Sequence, residues 1–233
     1  MNDSIITIEN LSKNYGHNPA LKNVSLDLSA GQIVGLCGPN GSGKTTMIKI
    51  LNGLLKQYHG TVLIDGHQPD VHTRSLISYL PDVFYLADWM SAKEVISLFN
   101  DLYQDFDKEK LLELLNRMNI NTQMRVKEMS KGTREKFQLA LVMSRRAKIY
   151  ILDEPIGGVD PAARDLILDT ILSNYEKDAL VLLSTHLIQD VERIFDSVIF
   201  LKEGEVALFD DVDNLRQKEQ RSIDELFREI FRC

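Results

Sequence analysis

Cysteine is scarce in this sequence, and long apolar stretches are missing. The two cysteines, Cys37 and Cys233, lie far apart, which offers neither a disulfide framework nor the paired spacing of metal ligands. A reducing cytoplasm suits this composition. No apolar stretch approaches the roughly 20 residues that span a bilayer, and Met1 is not followed by the basic and then apolar order of a signal peptide. Any membrane role therefore has to come from a partner.

The charge balance is acidic, with a formal net charge of −7 and a pI near 5.3. No run of five or six like charges occurs, and the acidic total argues against a broad basic footprint for nucleic acid. We therefore expect no nucleic-acid partner. The 233 residues, 44% of them hydrophobic, can bury a full core, which argues against disorder. The length fits one large domain, or one domain with an inserted lobe.

Hydrophobic periodicity divides the chain into strand-rich ends and a helical middle. Strands are predicted at residues 4–8, 24–28, 32–37 and 61–65, with one helix at 44–54 between them. Residues 81–146 are predicted to be largely helical, because Ser91 with Glu94 forms a capping box and Asp107 precedes a leucine-rich segment. This pattern predicts a helical lobe inserted into the strand-bearing part.

The second half of the sequence predicts a parallel sheet. The apolar runs at residues 149–152 and 180–183 are too short for helices and read as central parallel strands, joined by a crossover helix at 161–174. An edge hairpin at residues 198–209 and an amphipathic helix at 223–231 follow. We therefore predict an α/β fold with a mostly parallel central sheet, an N-terminal antiparallel β subdomain and an inserted α-helical subdomain.

A glycine-rich segment lies between the predicted strand 32–37 and the helix that follows, and it matches the phosphate-binding loop of P-loop NTPases. Its glycines let backbone N–H groups turn toward phosphate oxygens, and Lys44 adds a cation for the β- and γ-phosphates. The hydroxyl of Thr45 is suited to Mg²⁺. The predicted nucleotide-binding residues are Gly38, Pro39, Asn40, Gly41, Ser42, Gly43, Lys44, Thr45 and Thr46.

Two carboxylates end the predicted strand 149–152, at the edge where open α/β sheets hold their ligands. Asp153 is suited to the Mg²⁺ shell, and Glu154 is suited to orient and polarise an attacking water. His186 ends the next strand and by topology points into the same crevice. Taken alone, such a histidine is more often a satisfied polar cap.

Residues 129–133 form a further motif beside the phosphate loop and the two carboxylates. With these motifs in this order, the chain resembles the nucleotide-binding domain of ABC transporters along nearly its whole length. In that family residues 129–133, here called the signature loop, cap the ATP held by the opposite subunit. The resemblance gives that contact to Ser130, Lys131, Gly132 and Thr133, and the cross-dimer contact to Asp160. The free N–H groups of Gly132 and Thr133 at a helix start would suit an anion, although an ordinary N-cap explains Ser130 equally well.

The resemblance gives two further contacts. It places Tyr15 on the adenine and His186 on the γ-phosphate. An aromatic residue near a strand end is otherwise usually a packing residue.

Two departures from the family pattern concern the metal and the signature loop. Asp82 stands where the family has a glutamine that helps to hold Mg²⁺, so Asp82 either substitutes for it, with a shorter reach, or the coupling differs. Lys131 and Thr133 replace the usual glycine and glutamine. We interpret this as the mark of an exporter-type bacterial subfamily; the rival interpretation is a weakened second site in a heterodimer.

The resemblance implies a single ABC ATPase domain over residues 1–233, with a nucleotide-binding core at 1–80 and 147–233 and the helical subdomain at 81–146. It implies an ATPase using ATP and Mg²⁺, as a homodimer or a heterodimer with a related ATPase subunit. The partners would be transmembrane permease subunits at the inner face of the cell membrane, contacted by Phe84, Leu86 and Trp89 unless these are lobe core. A soluble ABC ATPase acting on ribosomes or DNA, and a non-catalytic nucleotide sensor, are the alternatives.

Overall fold

The computed structural model describes residues 4–231, apart from the side chain of Ala162. Its strands are β1 (Ser4–Tyr15), β2 (Asn18–Ser29), β3 (Gln32–Cys37), β4 (His59–Ile64), β5 (Ile77–Leu80), β6 (Ile149–Asp153), β7 (Leu180–Thr185), β8 (Ser197–Lys202) and β9 (Glu205–Asp211). Its α-helices are α1 (Lys44–Leu51), α2 (Val71–Leu76), α3 (Ala92–Leu102), α4 (Lys108–Arg117), α5 (Lys131–Met143), α6 (Pro161–Asn174), α7 (Ile188–Val191), α8 (Val212–Glu219) and α9 (Ile223–Ile230).

The strands form two sheets. Strands β2, β1 and β4 make an antiparallel sheet, and the other sheet has the order β5-β6-β7-β3-β8-β9. Every neighbouring pair of that second sheet is parallel except β8 with β9. Strands β6 and β7 are buried along their whole length, as expected for strands covered on both faces. The predicted fold class, the central parallel strands and the edge hairpin are confirmed.

Helices α3, α4 and α5 lie between β5 and β6 in the chain and share an apolar core with the parallel sheet. The predicted starts are confirmed by their caps: Ser91 Oγ accepts from Glu94 N while the Glu94 carboxylate accepts from Ser91 N, and Asp107 accepts from Lys110 N. These helices set the start of α5, and with it the signature loop, beside the carboxyl end of β6.

Several predicted boundaries are wrong, and one helix was not predicted. Strand β2 begins at Asn18, not at residue 24, and α2 is a second helix in a part of the chain where one was predicted. Helix α1 ends at Leu51, not at residue 54, because Gly53 takes a left-handed φ of 64° and turns the chain. Strand β1 runs on to Tyr15 through several register shifts, where only residues 4–8 were expected. Bulges break the alternation that sequence patterns detect, so the longer strand was not recognised.

The closing helix α9 packs on its own chain. Phe227 contacts the ring of Phe200 in a T-shaped arrangement with centroids 5.5 Å apart, and Lys202 Nζ donates to Ile230 O at 2.7 Å. The closing helix therefore folds back on its own domain in the single chain. No helix within residues 4–231 is long and apolar enough to cross a membrane.

Candidate nucleotide and metal site

The phosphate loop, residues 38–45, connects β3 to α1 and lies against two other strands. Gly43 has φ of 111°, and a Cβ built on it would lie 2.5 Å from Ala20 O of β2. A Cβ on Gly38 would lie 2.5 Å from Leu201 O of β8. The glycines are therefore required by close backbone approach as well as by conformation. Gly204 N, in the turn after β8, donates to Ser42 O at 2.9 Å and fixes the loop from outside.

Lys44 is buried beneath this loop. Its ammonium donates to Gly38 O at 2.7 Å and to Pro39 O at 3.2 Å, and lies 3.6 Å from Glu154 Oε1. A cavity of about 180 Å³ above the loop is lined by residues 40–46 together with Ala20, Asp82 and Glu154. The structure thus brings the cation of the loop, the candidate water-orienting carboxylate and Asp82 to one cavity.

Asp153 ends β6 and is buried at 2% exposure. Its Oδ1 accepts from Ser184 Oγ at 2.5 Å, while its Oδ2 is buried and has no hydrogen-bond partner. Burial raises the pKa of Asp153, the Ser184 bond opposes the rise, and the nearby Asp82 and Glu154 carboxylates add to it. A buried, unpaired carboxylate oxygen of this kind suits a cation. Ser184 was missed by sequence reasoning; the signal is its place opposite Asp153 in the β6–β7 register.

Glu154 directly follows β6 with a left-handed φ of 50°, a strained conformation for a residue with a Cβ. Its N–H donates to the carbonyl and the hydroxyl oxygen of Ser184, both at 3.1 Å, which holds the turn. His186 Nδ1 lies 3.0 Å from Glu154 Oε2. The topology thus brings His186 to the same end of the sheet as Glu154, and the contact between the two side chains is a finding of the structure.

The residues present fit Mg²⁺. Asp153, with its unpartnered Oδ2, and Asp82 line a second cavity of about 340 Å³ beside the first, and Thr45 lines the first. Within residues 4–231 no group of three or more His, Cys, Asp or Glu side chains is arranged to hold a metal by itself. Mg²⁺ in proteins commonly takes one or two carboxylates, a hydroxyl and substrate phosphates, so a dedicated cage is not needed.

The signature loop is folded as a helix start. Ser130 is the N-cap of α5, and its Oγ accepts from Thr133 N at 3.2 Å. The expectation of a free Thr133 N–H is therefore wrong for this chain, because the cap uses it. Lys131 is exposed and lies 3.7 Å from Glu135, and its ammonium is 2.8 Å from where a Cβ on Gly158 would stand. A Cβ built on Gly132 would have no described atom within 4 Å apart from its chain neighbours and the backbone of its own helix.

Tyr15 and Asp160 do not line the 180 Å³ cavity of the described residues. Tyr15 ends β1, about half exposed, with Lys13 Nζ 5.1 Å from its ring centroid. Tyr15 pairs with Asn18 across a tight turn. Asn18 lies two residues before Ala20, which lines the cavity. Asp160 caps α6 by accepting from Ala163 N at 3.1 Å. Their roles with the base and across a dimer stay predictions.

Comparison with known proteins agrees with this geometry. The ABC transporter family model matches residues 21–157. The chain is 34% identical over 224 residues to the uncharacterized ABC transporter ATP-binding protein YxlF of Bacillus subtilis, covering 94% of this chain and 75% of that protein. It is 29% identical over 222 residues to the lantibiotic transport ATP-binding protein SrtF of Streptococcus pyogenes, covering 91% and 95%.

Solved structures give the same result. An ATP-binding subunit of an ABC transporter superposes with a TM-score of 0.87 at 28% identity, covering 97% of this chain and 99% of that one. A dimeric ATP-binding cassette in a post-hydrolysis state bound to ADP and Pi superposes with a TM-score of 0.77 at 26% identity, covering 88% and 98%. The chain belongs to the family of ABC transporter ATP-binding proteins. It is an ATPase subunit of that family.

Proposed function

We propose that this chain binds two Mg-ATP per dimer, with each phosphate loop facing the signature loop of the other subunit. ATP binding closes the dimer, and hydrolysis reopens it. The cycle changes the conformation of separate transmembrane permease subunits and drives export. In this proposal residues 81–146 act as a helical subdomain on a nucleotide-binding core formed by residues 1–80 and 147–233.

The observation that carries the proposal is the arrangement of both oxygens of Glu154. Oε1 lies 3.6 Å from the Lys44 ammonium and Oε2 lies 3.0 Å from His186 Nδ1, at the rim of the phosphate-loop cavity. A carboxylate held between a phosphate-binding cation and an imidazole is placed to accept a proton from a water that attacks the γ-phosphate. Lys44 binds the phosphates, and His186 orients Glu154.

Mg²⁺ would be held by Thr45, Asp153 and Asp82 with the phosphates, where it would neutralise charge that develops during transfer. Burial of Asp153 raises the free energy of its ionised form, so a cation at Oδ2 is favourable. Asp82 lines both cavities and therefore borders the phosphate and the metal side of the site.

The proposed dimer is supported by the exposure of the signature loop, which leaves this loop open to contact by a second subunit. Nothing in the described chain covers the Cβ position of Gly132, and Lys131 is largely exposed. The dimeric state of the solved cassette bound to ADP and Pi supports a dimer for this chain. In a homodimer both ATP sites would contain the Lys131 signature loop, whereas in a heterodimer only the ATP held by the partner's phosphate loop would face it.

The membrane partner is proposed to dock on the segment after β5. Trp89 and Val83 are 70% and 68% exposed there. Phe84 and Leu86, which were also expected to make this contact, are instead partly buried against the core. The lantibiotic transport relative supports a transport function. Export, and a place at the inner membrane face through the permease, are parts of this proposal.

The test compares the wild type with Glu154→Gln, which keeps the shape and removes the charge. We expect wild-type turnover per subunit to rise with protein concentration. The variant should lose about 100-fold or more in turnover and accumulate as an ATP-bound dimer. ATP binding without dimer or turnover in the wild type would contradict the homodimer and favour a different partner cassette. Undiminished turnover in the variant would remove Glu154 from the mechanism.

A further inference from the structure

The 340 Å³ cavity lies between the start of α5, the segment after β5 and the end of β6. Asp82, Asp153 and Glu154 line one side of it, and α5 contributes the other. Gln138 of α5 lines the same cavity at 4% exposure. A polar side chain buried this deeply needs hydrogen-bond partners to offset its desolvation.

Gln138 has one partner and lacks another. Its Nε2 donates to Pro81 O at 3.3 Å, and its buried Oε1 has no partner within the described chain. The orientation of the amide is fixed by chemistry, because the Pro81 carbonyl can only accept. The carbonyl of Gln138 therefore faces away from Pro81. Sequence patterns do not predict this contact, because position 138 lies inside a helix and belongs to no motif.

Helix α5 holds the segment after β5 at a second place. The guanidinium of Arg134, one turn before Gln138, lies 5.3 Å from the ring centroid of Phe84 and 3.1 Å from Asp88 Oδ1. The segment that carries Asp82 is thus tied to α5 on both sides of Asp82. The Gln138 contact is the nearer in sequence, since Pro81 directly precedes Asp82.

The acceptors that line this cavity include the Asp82 and Glu154 carboxylates and two buried oxygens without a partner in the described chain, Asp153 Oδ2 and Gln138 Oε1. The cations of the lining, Lys131 and Arg134, are paired with Glu135 and Asp88. The complementary occupant is a hydrated cation, whose waters supply O–H donors. Mg²⁺ keeps several of its waters when it binds to proteins. An apolar ligand would leave both buried oxygens unsatisfied.

We propose that Gln138 is a positioning residue for Mg²⁺ binding. Its amide N–H₂ group holds the Pro81 carbonyl and so fixes Asp82 at the metal side of the site, and its carbonyl accepts from a water of the metal shell. This rests on the proposed role of Asp82. Gln138 does not line the 180 Å³ phosphate-loop cavity, so we expect its effect on the Mg²⁺ requirement.

The test measures Mg²⁺-dependent binding of a fluorescent ATP analogue in the Glu154→Gln background, which separates binding from turnover. Gln138→Met, which keeps the volume and removes both hydrogen-bonding functions, should raise the half-maximal Mg²⁺ concentration about threefold to tenfold, the range expected for loss of one or two hydrogen bonds. Affinity for the analogue in EDTA should not change. Gln138→Asn, which keeps an amide but shortens its reach, should give the same shift.

Leu139→Met is the matched control, a buried apolar neighbour on α5, and should leave the Mg²⁺ requirement unchanged. Asp82→Asn should raise that requirement, and adding Gln138→Met to it should give less than the sum of the two shifts, because both act on one contact. Thermal melting confirms that each variant is folded.

The outcomes distinguish the proposed role of Gln138 from the proposed metal role of Asp82. If Asp82→Asn shifts the Mg²⁺ requirement and neither folded Gln138 variant does, the inference is overturned while the metal role of Asp82 stands. If Asp82→Asn has no effect, both are overturned. A shift of equal size in Leu139→Met would show that packing in α5 is responsible, which also overturns the role of the amide.

Discussion

The imidazole of His186 contacts Glu154 across the ends of two neighbouring strands, with Nδ1 3.0 Å from Oε2. Glu154 follows β6 and His186 follows β7, and Asp153 pairs with Ser184 in the parallel register. The pairing therefore follows from the sheet itself. The other Glu154 oxygen faces the Lys44 ammonium. The carboxylate is therefore held in one orientation by contacts with both Lys44 and His186.

Replacing His186 should impair hydrolysis more than binding. We expect His186→Ala to lower kcat about tenfold to 100-fold with a small change in KM for ATP, since Glu154 loses the donor that orients it. Steady-state ATPase assays measure both parameters. His72→Ala, on exposed α2, is the control and should behave as the wild type. An unchanged kcat in His186→Ala would show that Lys44 and the strained turn suffice to orient Glu154.

In the nucleotide-free protein, we expect Asp153 to lower the free energy of unfolding as the pH rises. Its folded-state pKa is raised above the ordinary value of 3.8 by burial, so the folded protein binds that proton more tightly than the unfolded chain. The unfolding free energy of the wild type therefore falls as pH increases from about 4 through the raised pKa, relative to Asp153→Asn. Thermal melts across this range should show a gap that widens in favour of the variant.

The same melts with MgATP provide the control. Ligand binding stabilises only the chain that can bind it, so the wild type should gain from MgATP at neutral pH and Asp153→Asn should gain much less. Melting curves of the two proteins that stay parallel at every pH would contradict a raised pKa. Equal stabilisation by MgATP would remove Asp153 from the metal site.

Much of the site could be predicted because its chemistry is encoded in short segments. The phosphate loop is contiguous and lies between a predicted strand and helix, and Asp153 and Glu154 end an apolar strand. Parallel strands bring their carboxyl ends to one edge, which also places His186. These predictions needed only the order of strands and the position of each residue at a strand end.

What could not be predicted depends on contacts between distant segments. Gln138 reaches Pro81 across 57 positions, and Ser184 reaches Asp153 across 31. The approach of Ala20 to Gly43 depends on how the two sheets pack. The sequence predicts a free Thr133 N–H group, but in the structure this group donates to Ser130 Oγ. Ser130 can satisfy the start of a helix without any ligand.

Two glycines with opposite surroundings should respond oppositely to alanine. Gly43→Ala would place a Cβ 2.5 Å from Ala20 O at a φ of 111°, so we expect lower stability and loss of ATP binding. Gly132→Ala meets nothing within 4 Å and lies near the start of α5, so its stability should be unchanged or up to about 1 kcal/mol higher.

The function of Gly132→Ala should nevertheless suffer. If the signature loop covers the ATP of a second subunit, a methyl group at this open position obstructs that contact. ATP-dependent dimerisation, measured by light scattering in the Glu154→Gln background, should weaken while binding of ATP to the monomer stays the same. Normal dimerisation of Gly132→Ala would show that the partner's nucleotide does not approach this residue.

Arg164 should matter for turnover because it links the loop before α6 to the helix after His186. Its Nε donates to Val159 O at 3.2 Å and its Nη1 to Asp190 Oδ2 at 2.5 Å. Arg164→Met removes both bonds, and we expect turnover to fall about tenfold, the equivalent of losing about 1.4 kcal/mol from the active arrangement. Val159 directly precedes Asp160, so dimer formation should weaken as well.

A second arginine provides the matched control. Arg193 donates to Asp165 at 2.7 Å between α6 and the turn after α7, but this pair is exposed and neither partner holds a loop of the site. Exposed ion pairs contribute little, so Arg193→Met should keep turnover near the wild-type rate. Asp190→Asn should reproduce part of the Arg164→Met defect, because it weakens one of the two contacts. Equal turnover in Arg164→Met and Arg193→Met would mean that the bridge only joins two helices and does not position Asp160 or His186.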